Sequence, residues 1–356
     1  MKILGLDIGG ANTKAALIEI EKDNIKNSTS YIEFFPFWEK TITEIPEMLK
    51  RVKLNLQKTH LLFKNNIDFF AIAITAELSD AFQTKREGIY TILNALEQVF
   101  QKEKMYFIST NYKFLQFFEA KNELLSISAA NWVSTALFLG KFISDCILID
   151  AGSTTVDIIP IINSIPVVKG KTDVERLYHH ELIYTGGLRA TIPSITHFVP
   201  YNGKKVRIAF EKFALISDVH RILNNITEKQ YINDTADNRS KSLEDCYARL
   251  SRIICMDIES ISKEELDLIA QYIYEKQQEI ISNAIQLLMH DLVIRHPQFE
   301  KNPRFVITGL SADFLVRLIL ENLGYNNISS YKEITQIPDE TNSSAFAVAG
   351  ALYYQL

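Results

Sequence analysis

The sequence predicts an α/β protein built from two similar lobes, and two observations support this. A short pattern occurs twice, over 3–14 and 147–157: an apolar run ending in Asp, one further residue, a glycine, and then small hydroxyl or amide side chains. In addition, strand-like and helix-like segments alternate over 1–145, which is typical of a mixed sheet covered by helices. Because repeated patterns set the architecture of a chain, we expect each copy to open one lobe.

The first copy reads as a buried strand that ends at Asp7 and is followed by a tight turn. Gly9 and Gly10 would let the chain turn back as a hairpin, because glycine tolerates φ > 0 and has no Cβ to obstruct a ligand. The backbone N–H groups and hydroxyls of such a turn can bind an oxyanion such as phosphate. The residues predicted to bind phosphate are Gly9, Gly10, Asn12, Thr13 and Lys14 in the first copy and Gly152, Ser153, Thr154 and Thr155 in the second.

Each copy also contributes one Asp at the end of its strand, Asp7 and Asp150. Mg²⁺ is commonly held by one or two carboxylates together with phosphate oxygens and water. We therefore expect these two side chains to face each other across a cleft and to hold Mg²⁺. An ordinary hairpin turn would explain a single copy, whereas the repetition favours a phosphate cleft. The sequence contains neither a P-loop motif nor a G-x-G-x-x-G fingerprint, which argues against P-loop enzymes and Rossmann dehydrogenases.

The twin pattern resembles that of the actin, sugar-kinase and Hsp70 superfamily. This resemblance implies a duplicated ribonuclease-H-like fold with two lobes and a central cleft. The first lobe would cover 1–145 and the second 146–342, with a C-terminal helix over 343–356 crossing back to the first. Apolar residues recur at helical spacing over about 211–296, which predicts a helical insertion within the second lobe.

Two later segments fall where that superfamily would place them. The segment 305–311 reads as a strand, a glycine turn at Gly309 and the start of a helix at Ser311, and its counterpart in the superfamily faces the nucleoside or its replacement. Ser343 or Ser344 can cap the C-terminal helix. The small residues of that helix would allow close packing against a partner helix that begins near residue 129.

A polar segment over 74–88 follows a predicted strand and should open at the edge of the sheet. Binding and catalytic residues are often found in such loops. Glu77 and Asp80 are candidates for taking a proton, and Lys85 and Arg86 for binding a polyphosphate. A solvated helix start would place the same acids and cations in the same order, because acids favour the N-terminal end of a helix.

A second polar cluster lies between residues 169 and 191. Thr185 and Gly186 belong to a turn that could approach a ligand, and Arg189 follows them. Together with Gly309 and Ser311, these three residues are the predicted substrate contacts.

Composition argues against several classes of protein. The chain has 356 residues, 47% of them hydrophobic, and a formal net charge of -5, which gives no support for nucleic-acid binding. Its three cysteines are too few and too dispersed for a disulfide framework or a structural zinc site, and they fit a reducing cytoplasm. No apolar stretch reaches the roughly 18–20 residues of a membrane span, and no signal-peptide pattern is found. We therefore expect a cytoplasmic protein without membrane partners, with a homo-oligomer left open.

Longer blocks identify a closer resemblance. They are 7–14, 75–88, 130–132, 150–160, 172–177, 181–186 and 234–237. Together they resemble the hydantoinase/oxoprolinase-like branch linked to tetrahydromethanopterin and methanofuran one-carbon metabolism, and the resemblance spans nearly the whole chain. One departure is visible: where that family has Arg-Thr-Pro, this chain reads Arg-Ala-Thr-Ile-Pro from Arg189 to Pro193.

The resemblance implies a transferase that uses Mg²⁺ and small-molecule diphosphate and phenolic amine substrates. The phenol oxygen of tyramine or γ-glutamyltyramine would attack the CH₂ of an aminomethyl-furanmethyl diphosphate, forming an aryl ether and releasing pyrophosphate. Since furan can stabilise positive charge at that carbon, the main task would be to stabilise charge on the departing pyrophosphate. Two alternatives stay open: an ATP-dependent small-molecule kinase or hydrolase that binds adenosine near Gly309, and a nucleotide-dependent filament-forming protein.

Overall fold

A computed structural model describes residues 1–22, 24–59, 67–338 and 341–356. The strands of these residues are, in chain order, β1 (Lys2–Gly9), β2 (Asn12–Glu21), β3 (Asn24–Phe34), β4 (Phe69–Thr75), β5 (Met105–Ile108), β6 (Phe114–Gln116), β7 (Cys146–Ala151), β8 (Val156–Ile162), β9 (Ile165–Pro166), β10 (Leu182–Ile183), β11 (Phe198–Tyr201), β12 (Lys204–Arg207), β13 (Phe305–Thr308) and β14 (Ile328–Ser330).

The α-helices of the same residues are α1 (Ile45–Thr59), α2 (Lys85–Val99), α3 (Phe117–Asn122), α4 (Asn131–Leu139), α5 (Asp173–Tyr178), α6 (Ile216–Ile222), α7 (Leu243–Arg252), α8 (Lys263–Arg295), α9 (Leu318–Asn322), α10 (Tyr331–Thr335) and α11 (Ser343–Tyr353). A π-helical segment, Ala312–Arg317, leads directly into α9. Across the described parts of the chain, no helix is both long enough and apolar enough to cross a membrane.

The chain forms two compact units, each assembled from separate parts of the sequence. Unit 1 comprises 1–146, 159–175 and 330–356, and unit 2 comprises 147–158 and 176–329. The C-terminal segment therefore belongs to the same unit as the N-terminal sheet.

The two main sheets share one strand order. The first runs β3-β2-β1-β4-β5-β6, with β1 antiparallel to β2 and parallel to β4. The second runs β10-β8-β7-β13-β14, with β10 antiparallel to β8 and β13 parallel to β7. In each sheet the first strand lies in the middle, flanked by a hairpin partner and a parallel fourth strand. This is the order of a ribonuclease-H-like sheet, and its duplication confirms the predicted actin, sugar-kinase and Hsp70-like fold class.

The position of α11 in unit 1 depends on small residues. Alternate residues of β1 face opposite sides of the sheet, so Leu4 and Leu6 join the core under α1 and α2 while Gly5 faces the other way. A Cβ on Gly5 would lie 2.0 Å from the carbonyl oxygen of Ala345, so the backbone of α11 rests directly on β1. Gly350 leaves similar room for the ring of Phe138 on α4, with a would-be Cβ only 2.3 Å from it. The predicted close packing of these two helices is confirmed.

The predicted cap of α11 is wrong. Asn342 occupies the N-cap position, and Ser343 and Ser344 are already the first two helical residues. Both serines are buried, so Ser344 is available for a contact inside the unit rather than for capping the helix.

Three helices of unit 2, α6, α7 and α8, lie in the stretch expected to be helical. A buried ion-pair cluster joins the first two. The guanidinium of Arg249 on α7 donates from Nε to Asp218 on α6 at 2.8 Å and from Nη1 to Asp237 at 3.0 Å. Arg249 and Asp218 are both fully buried, so each supplies the opposite charge that the other needs in order to be buried. Asp237 belongs to one of the blocks that carry the family resemblance, and in the structure its carboxylate accepts a hydrogen bond from Arg249 in this cluster.

Candidate active site

Asp7 is held in place by two hydroxyl groups from other parts of unit 1. It lies near the carboxyl end of β1 and is only 6% exposed. Ser344 Oγ on α11 donates to Oδ2 at 2.5 Å. Thr75 Oγ1 at the end of β4 lies 3.4 Å from Oδ1 and 3.3 Å from the carbonyl oxygen of Ile8, within donating distance of both. These contacts fix the orientation of the carboxylate and leave each oxygen with further lone pairs for a metal ion or water.

The turn that follows β1, which we call the first turn (9–12), is braced from behind. Phe35 N donates to Ala11 O and Phe37 N to Gly10 O, each at 2.9 Å. Because the C=O and the following N–H of a planar trans peptide point in opposite directions, the N–H groups of Ala11 and Asn12 point away from this brace. Backbone amides presented in this way suit an oxyanion.

Gly9 and Gly10 play different parts in the first turn. A Cβ on Gly9 would lie 2.9 Å from the carbonyl oxygen of Asn12, so the tight turn itself requires glycine there. A Cβ on Gly10 would come no closer than 3.9 Å to Ser79, which is ordinary contact. The backbone at Gly10 is thus open towards the loop that follows β4.

The remaining predicted residues of the first turn lie on or beside β2. Asn12 and Lys14 are half-buried, and Lys14 lies opposite Asp7 in the β1–β2 register. Thr13 is completely buried, and its Oγ1 has no hydrogen-bond partner among the described residues. Its side chain faces the interior, so any phosphate contact at this position would be made by the backbone.

Glu77, just after β4, is a buried acid. It is 2% exposed, and its Oε1 accepts a hydrogen bond from Ser128 Oγ at 2.5 Å. Within the described residues its Oε2 has no hydrogen-bond partner. Burial raises the pKa of Glu77, and the hydrogen bond from Ser128 offsets that only in part. A carboxylate with a raised pKa is a stronger base than an exposed one.

The surroundings of Glu77 are tightly packed. A Cβ on Gly88, in the first turn of α2, would lie 2.6 Å from the Glu77 carbonyl oxygen. Helix α2 begins only at Lys85, with Thr84 as its N-cap. Glu77 and Asp80 therefore precede the helix instead of forming its first turn, so helix-end electrostatics does not explain them.

The other three residues of this cluster are more accessible. Asp80 and Arg86 are exposed, and Lys85 is partly exposed. Lys85 Nζ lies 3.7 Å from Asp173 Oδ2, at the start of α5. A charge pair this exposed is weak, so Lys85 can exchange Asp173 for a phosphate oxygen at little cost.

In unit 2 the equivalent turn, which we call the second turn (152–155), connects β7 and β8. Asp150 on β7 is half-buried and lies opposite Thr308 of β13. Four backbone N–H groups of the loop after β10 donate to this turn: Gly186 to Thr154 O (2.9 Å), Gly187 to Gly152 O (2.9 Å), Leu188 to Ser153 O (2.9 Å) and Arg189 to Ser153 O (3.1 Å). Three consecutive carbonyls thus face the loop, and by peptide geometry the N–H groups of Ser153, Thr154 and Thr155 point away from it.

The hydroxyls of the second turn differ in their partners. Thr155 Oγ1 donates to Asp157 Oδ2 at 3.2 Å, and the other oxygen of Asp157 accepts from Arg176 Nη1 at 2.7 Å. Ser153 Oγ and Thr154 Oγ1 lie 3.4 Å apart, and both residues are half-buried. Ser153 and Thr154 are therefore better placed than Thr155 to give a hydroxyl to a ligand.

Gly309 and Ser311 close the second turn from the side of β13. Gly309 has φ +95°, and a Cβ there would lie 2.3 Å from the Ala151 carbonyl oxygen, so the position requires glycine on both grounds. Ser311 Oγ lies 3.0 Å from Ala151 O and 3.2 Å from Gly152 O, within donating distance of both. The Ser311 hydroxyl is thus committed to holding the turn.

The remaining predicted substrate contacts lie in the loop after β10. Thr185 and Gly186 are buried, and Arg189 is half-buried. Gln277 of α8 donates from Nε2 to Thr185 Oγ1 at 3.0 Å and to Gly186 O at 2.9 Å. Thr185 and Gly186 therefore face α8, which leaves Arg189 as the side chain of the three with access to solvent.

Among the described residues, no group of three or more His, Cys, Asp and Glu side chains could hold a metal ion. Mg²⁺ does not need such a group, since one or two carboxylates suffice when phosphate oxygens and waters complete the shell. Asp7 and Asp150 occupy equivalent positions in their two sheets, two residues before the turn glycine, and each offers carboxylate oxygens of the required kind. The donor chemistry fits Mg²⁺ within each unit.

Comparison with known proteins identifies the family. The model of the hydantoinase/oxoprolinase family matches residues 68–352. The chain belongs to this family. It is 38% identical over 355 residues to a protein of Methanocaldococcus jannaschii named "(4-{4-[2-(gamma-L-glutamylamino)ethyl]phenoxymethyl}furan-2-yl)methanamine synthase", covering 99% of this chain and 98% of the relative.

Two further comparisons concern the family and the fold, respectively. A protein of Methanococcus vannielii with the same name is 32% identical over 191 residues, which cover 53% of this chain and 82% of the relative. The nucleotide-free structure of acetone carboxylase matches with a TM-score of 0.50 at 12% identity, over 98% of this chain and 70% of that one. At such low identity the second match concerns the fold alone.

Several residues that contact the candidate site were not predicted from the sequence. Ser344 and Thr75 contact Asp7, Ser128 contacts Glu77, and Gln277 contacts the loop at Thr185. Ser344 lies 337 residues from its partner and Gln277 lies 92 residues from Thr185. No local pattern marks them, because a buried serine or glutamine on a helix has the same spacing whether or not it contacts a site.

Proposed function

We propose that this chain is an alkyl transferase that forms the aryl ether named in its Methanocaldococcus jannaschii relative. The observation that carries the proposal is the similarity to that synthase along almost the full length of both chains. A comparison that covers both units includes both turns and the loops around them, and is not limited to a shared fold.

The name of the product defines the bond that is made. A phenoxymethyl group joins the phenol oxygen of a γ-glutamyltyramine to a CH₂ on the furan ring. In the proposed reaction the phenol oxygen attacks this CH₂, the C–O bond to the diphosphate breaks, and pyrophosphate leaves with the bonding electrons. The phenolic proton passes to a base on the protein.

The two turns would stabilise the leaving pyrophosphate. Each presents outward-pointing backbone N–H groups, and preorganised dipoles aimed at developing charge are among the largest contributions to catalysis. Mg²⁺ at Asp7 and Asp150 would neutralise part of the phosphate charge. Lys14, Lys85 and Arg86 supply further positive charge for the same purpose.

Glu77 is the preferred base over Asp80. A phenol has a pKa of about 10. A base with a raised pKa therefore has a pKa closer to that of the phenol, and proton transfer to it is less unfavourable. Glu77 combines burial, a raised pKa and one carboxylate oxygen without a partner among the described residues, whereas Asp80 is exposed. Ser128 would hold Glu77 in the orientation needed for proton transfer.

A cytoplasmic location belongs to the same proposal. Cys146, Cys246 and Cys255 all lie among the described residues and form no disulfide there, which suits a reducing compartment.

The decisive experiment is a mass-spectrometric assay of the purified protein with Mg²⁺ in two mixtures. The first contains the aminomethyl-furanmethyl diphosphate with tyramine or γ-glutamyltyramine. The second contains ATP with the corresponding furanmethanol or its monophosphate. The proposal predicts ether and pyrophosphate in the first mixture without ATP.

The second mixture tests the alternative kinase. ADP or AMP formed in dependence on the furan alcohol, with no ether in the first mixture, would replace the transferase by a kinase or hydrolase. Failure of both mixtures would contradict both readings.

A further inference from the structure

The loop 185–189, which we call the bracing loop, sets the backbone of the second turn. Four of its backbone N–H groups donate hydrogen bonds to the carbonyl oxygens of Gly152, Ser153 and Thr154. The contact is also steric, because a Cβ on Gly186 would lie 2.6 Å from the Gly152 oxygen and 2.8 Å from carbonyl carbons of Ser153 and Thr154. Two backbones this close move together, so a displaced bracing loop displaces the amides that face the ligand.

One side chain anchors the bracing loop from the other side. Gln277 of α8 is fully buried, and its Nε2 donates both hydrogens, one to Thr185 Oγ1 and one to Gly186 O. With both amide hydrogens engaged, no other side chain of the same shape can replace it. Aspartate, glutamate and methionine lack a pair of donors altogether.

The orientation of Gln277 is itself determined by a second buried side chain. His220 Nε2 lies 3.0 Å from Gln277 Oε1, and His220 Nδ1 lies 3.1 Å from Asn225 Nδ2. Since both hydrogens of Gln277 are used on the loop, Oε1 must accept, so His220 donates from Nε2 and accepts at Nδ1. Burial lowers the pKa of His220 to about 3, which keeps the ring neutral and this direction of bonding unchanged over any practical assay pH.

Aromatic rings hold His220 against the same part of unit 2. Its ring centroid lies 4.8 Å from that of Phe314 and 5.5 Å from that of Tyr274, and the hydroxyl of Tyr274 donates to the carbonyl of Phe314. Phe314 follows Ser311, which closes the second turn. The helical part of unit 2 therefore reaches the turn by two routes, through Gln277 and through Phe314.

We propose that Gln277, oriented by His220, is a positioning residue for the diphosphate: it holds the bracing loop so that the amides of Ser153, Thr154 and Thr155 face the phosphate oxygens. The residue does not touch substrate. This inference rests on the proposed function for the identity of the ligand, but the geometry it describes concerns any diphosphate bound at the second turn.

The test compares Gln277→Met with Leu288→Ala. Methionine has a similar length and no donor, so it leaves Thr185 Oγ1 and Gly186 O unpaired. Leu288 is buried on the same helix, three turns from Gln277, and serves as a control for a loss of stability that leaves the network intact. Thr185→Ser, which keeps the hydroxyl acceptor, and Thr185→Val, which removes it, form a second matched pair.

Three readouts are measured for each variant: KM for both substrates, the affinity for inorganic pyrophosphate by calorimetry, and hydrogen exchange of the peptide that covers 182–190. For Gln277→Met and Thr185→Val we expect KM for the diphosphate and the Kd for pyrophosphate to rise about tenfold. This is the change expected from the loss of about one to two hydrogen bonds. KM for the phenolic amine should stay within about twofold, and exchange in 182–190 should accelerate. Leu288→Ala should show neither change, and Thr185→Ser, which keeps the acceptor for Gln277, should show a smaller change than Thr185→Val.

The outcomes separate this inference from the proposed function. If the wild type forms no ether but binds pyrophosphate, and Gln277→Met weakens that binding, the proposed reaction fails and the positioning role stands. If the wild type forms ether and Gln277→Met behaves like Leu288→Ala, the positioning role fails and the reaction stands. A wild type that neither forms ether nor binds pyrophosphate contradicts both.

Discussion

The two turns present their backbone N–H groups in the same way, but they are supported by chemically different contacts. Both direct carbonyls towards the segment that follows the third strand of their sheet, and both point N–H groups outward. The first turn is braced by Phe35 and Phe37, whose rings are buried in the core of unit 1 and stack edge-to-face at 5.2 Å. The second is braced by a loop held by the polar side chain of Gln277.

This difference decides how each turn should tolerate change. Apolar packing is non-directional, so the first brace depends mainly on the volume of its rings. A buried hydrogen-bond network is directional, and losing one partner leaves the others unsatisfied. The second turn should therefore be the more sensitive of the two to substitutions of similar size.

The largest expected effect lies beside the first turn and concerns chemistry, not bracing. Glu77→Gln keeps the shape of the side chain but removes the base, and we expect kcat to fall about 10²–10⁴-fold. Asp80→Asn is the matched control, because the sequence left both acids open and only Glu77 is buried. Steady-state kinetics at saturating Mg²⁺ would measure both. Equal losses would contradict the assignment, and a large loss for Asp80→Asn alone would reverse it.

The next effect compares the turns directly. A Cβ at Gly186 would meet backbone atoms of the second turn at 2.6–2.8 Å, whereas one at Gly10 would meet nothing closer than 3.9 Å. Gly186→Ala should lower the free energy of unfolding by about 1–3 kcal/mol and raise KM for the diphosphate, since backbone must shift. Gly10→Ala should change stability by less than about 0.5 kcal/mol. Urea unfolding of both variants would show the contrast, and its absence would remove the steric link between bracing loop and turn.

An effect on stability of similar size is expected at Asp7. Ser344→Ala removes the 2.5 Å hydrogen bond to Oδ2, which should cost about 1–3 kcal/mol and raise the Mg²⁺ concentration needed for half-maximal turnover. Ser343→Ala is the control, because Ser343 is its neighbour on α11 and is equally buried. Titration of turnover with Mg²⁺ distinguishes the two. Identical Mg²⁺ titration curves for Ser344→Ala and Ser343→Ala would mean that the hydrogen bond from Ser344 to Asp7 does not affect Mg²⁺ binding.

The smallest effect is the pH dependence of stability. Because burial raises the folded-state pKa of Glu77, its contribution to stability is complete below its ordinary pKa and is lost as the pH rises through the folded pKa. The free energy of unfolding of wild type should therefore fall relative to that of Glu77→Gln as pH rises across this interval. Urea unfolding at several pH values measures the difference. A difference that stays constant with pH would show that Glu77 titrates normally.

Much of the fold could be predicted from the sequence. The Asp-x-Gly turns, the buried strands before them and the glycine at Gly309 are local features, since each depends on backbone conformation and on neighbouring side chains. The two equivalent sheet orders follow from the repetition. The cap of α11 was misplaced by one or two residues because Asn342, Ser343 and Ser344 are all acceptable caps in isolation, and packing against β1 decided which of them begins the helix.

Less of the candidate site could be predicted. From the sequence, Glu77 and Asp80 were equally good candidates for the base, because both are acids in a polar loop after a strand. Only the tertiary structure distinguishes them, by burying one next to Ser128 and exposing the other. Similarly, Thr13 and Thr155 fit a phosphate turn in the sequence, but the first is buried and the second donates to Asp157.

The sequence by itself determined the fold class, the family and the two turns, because glycine and aspartate at fixed spacing specify a backbone path that depends on few distant contacts. The tertiary structure alone decided what supports those turns. Ser344 reaches Asp7 across 337 residues, and Gln277 reaches the bracing loop across 92. Such contacts depend on how helices pack onto the sheets, and that packing is set by the burial of apolar surface over the whole chain. No local sequence pattern therefore identifies the residues that this packing brings together.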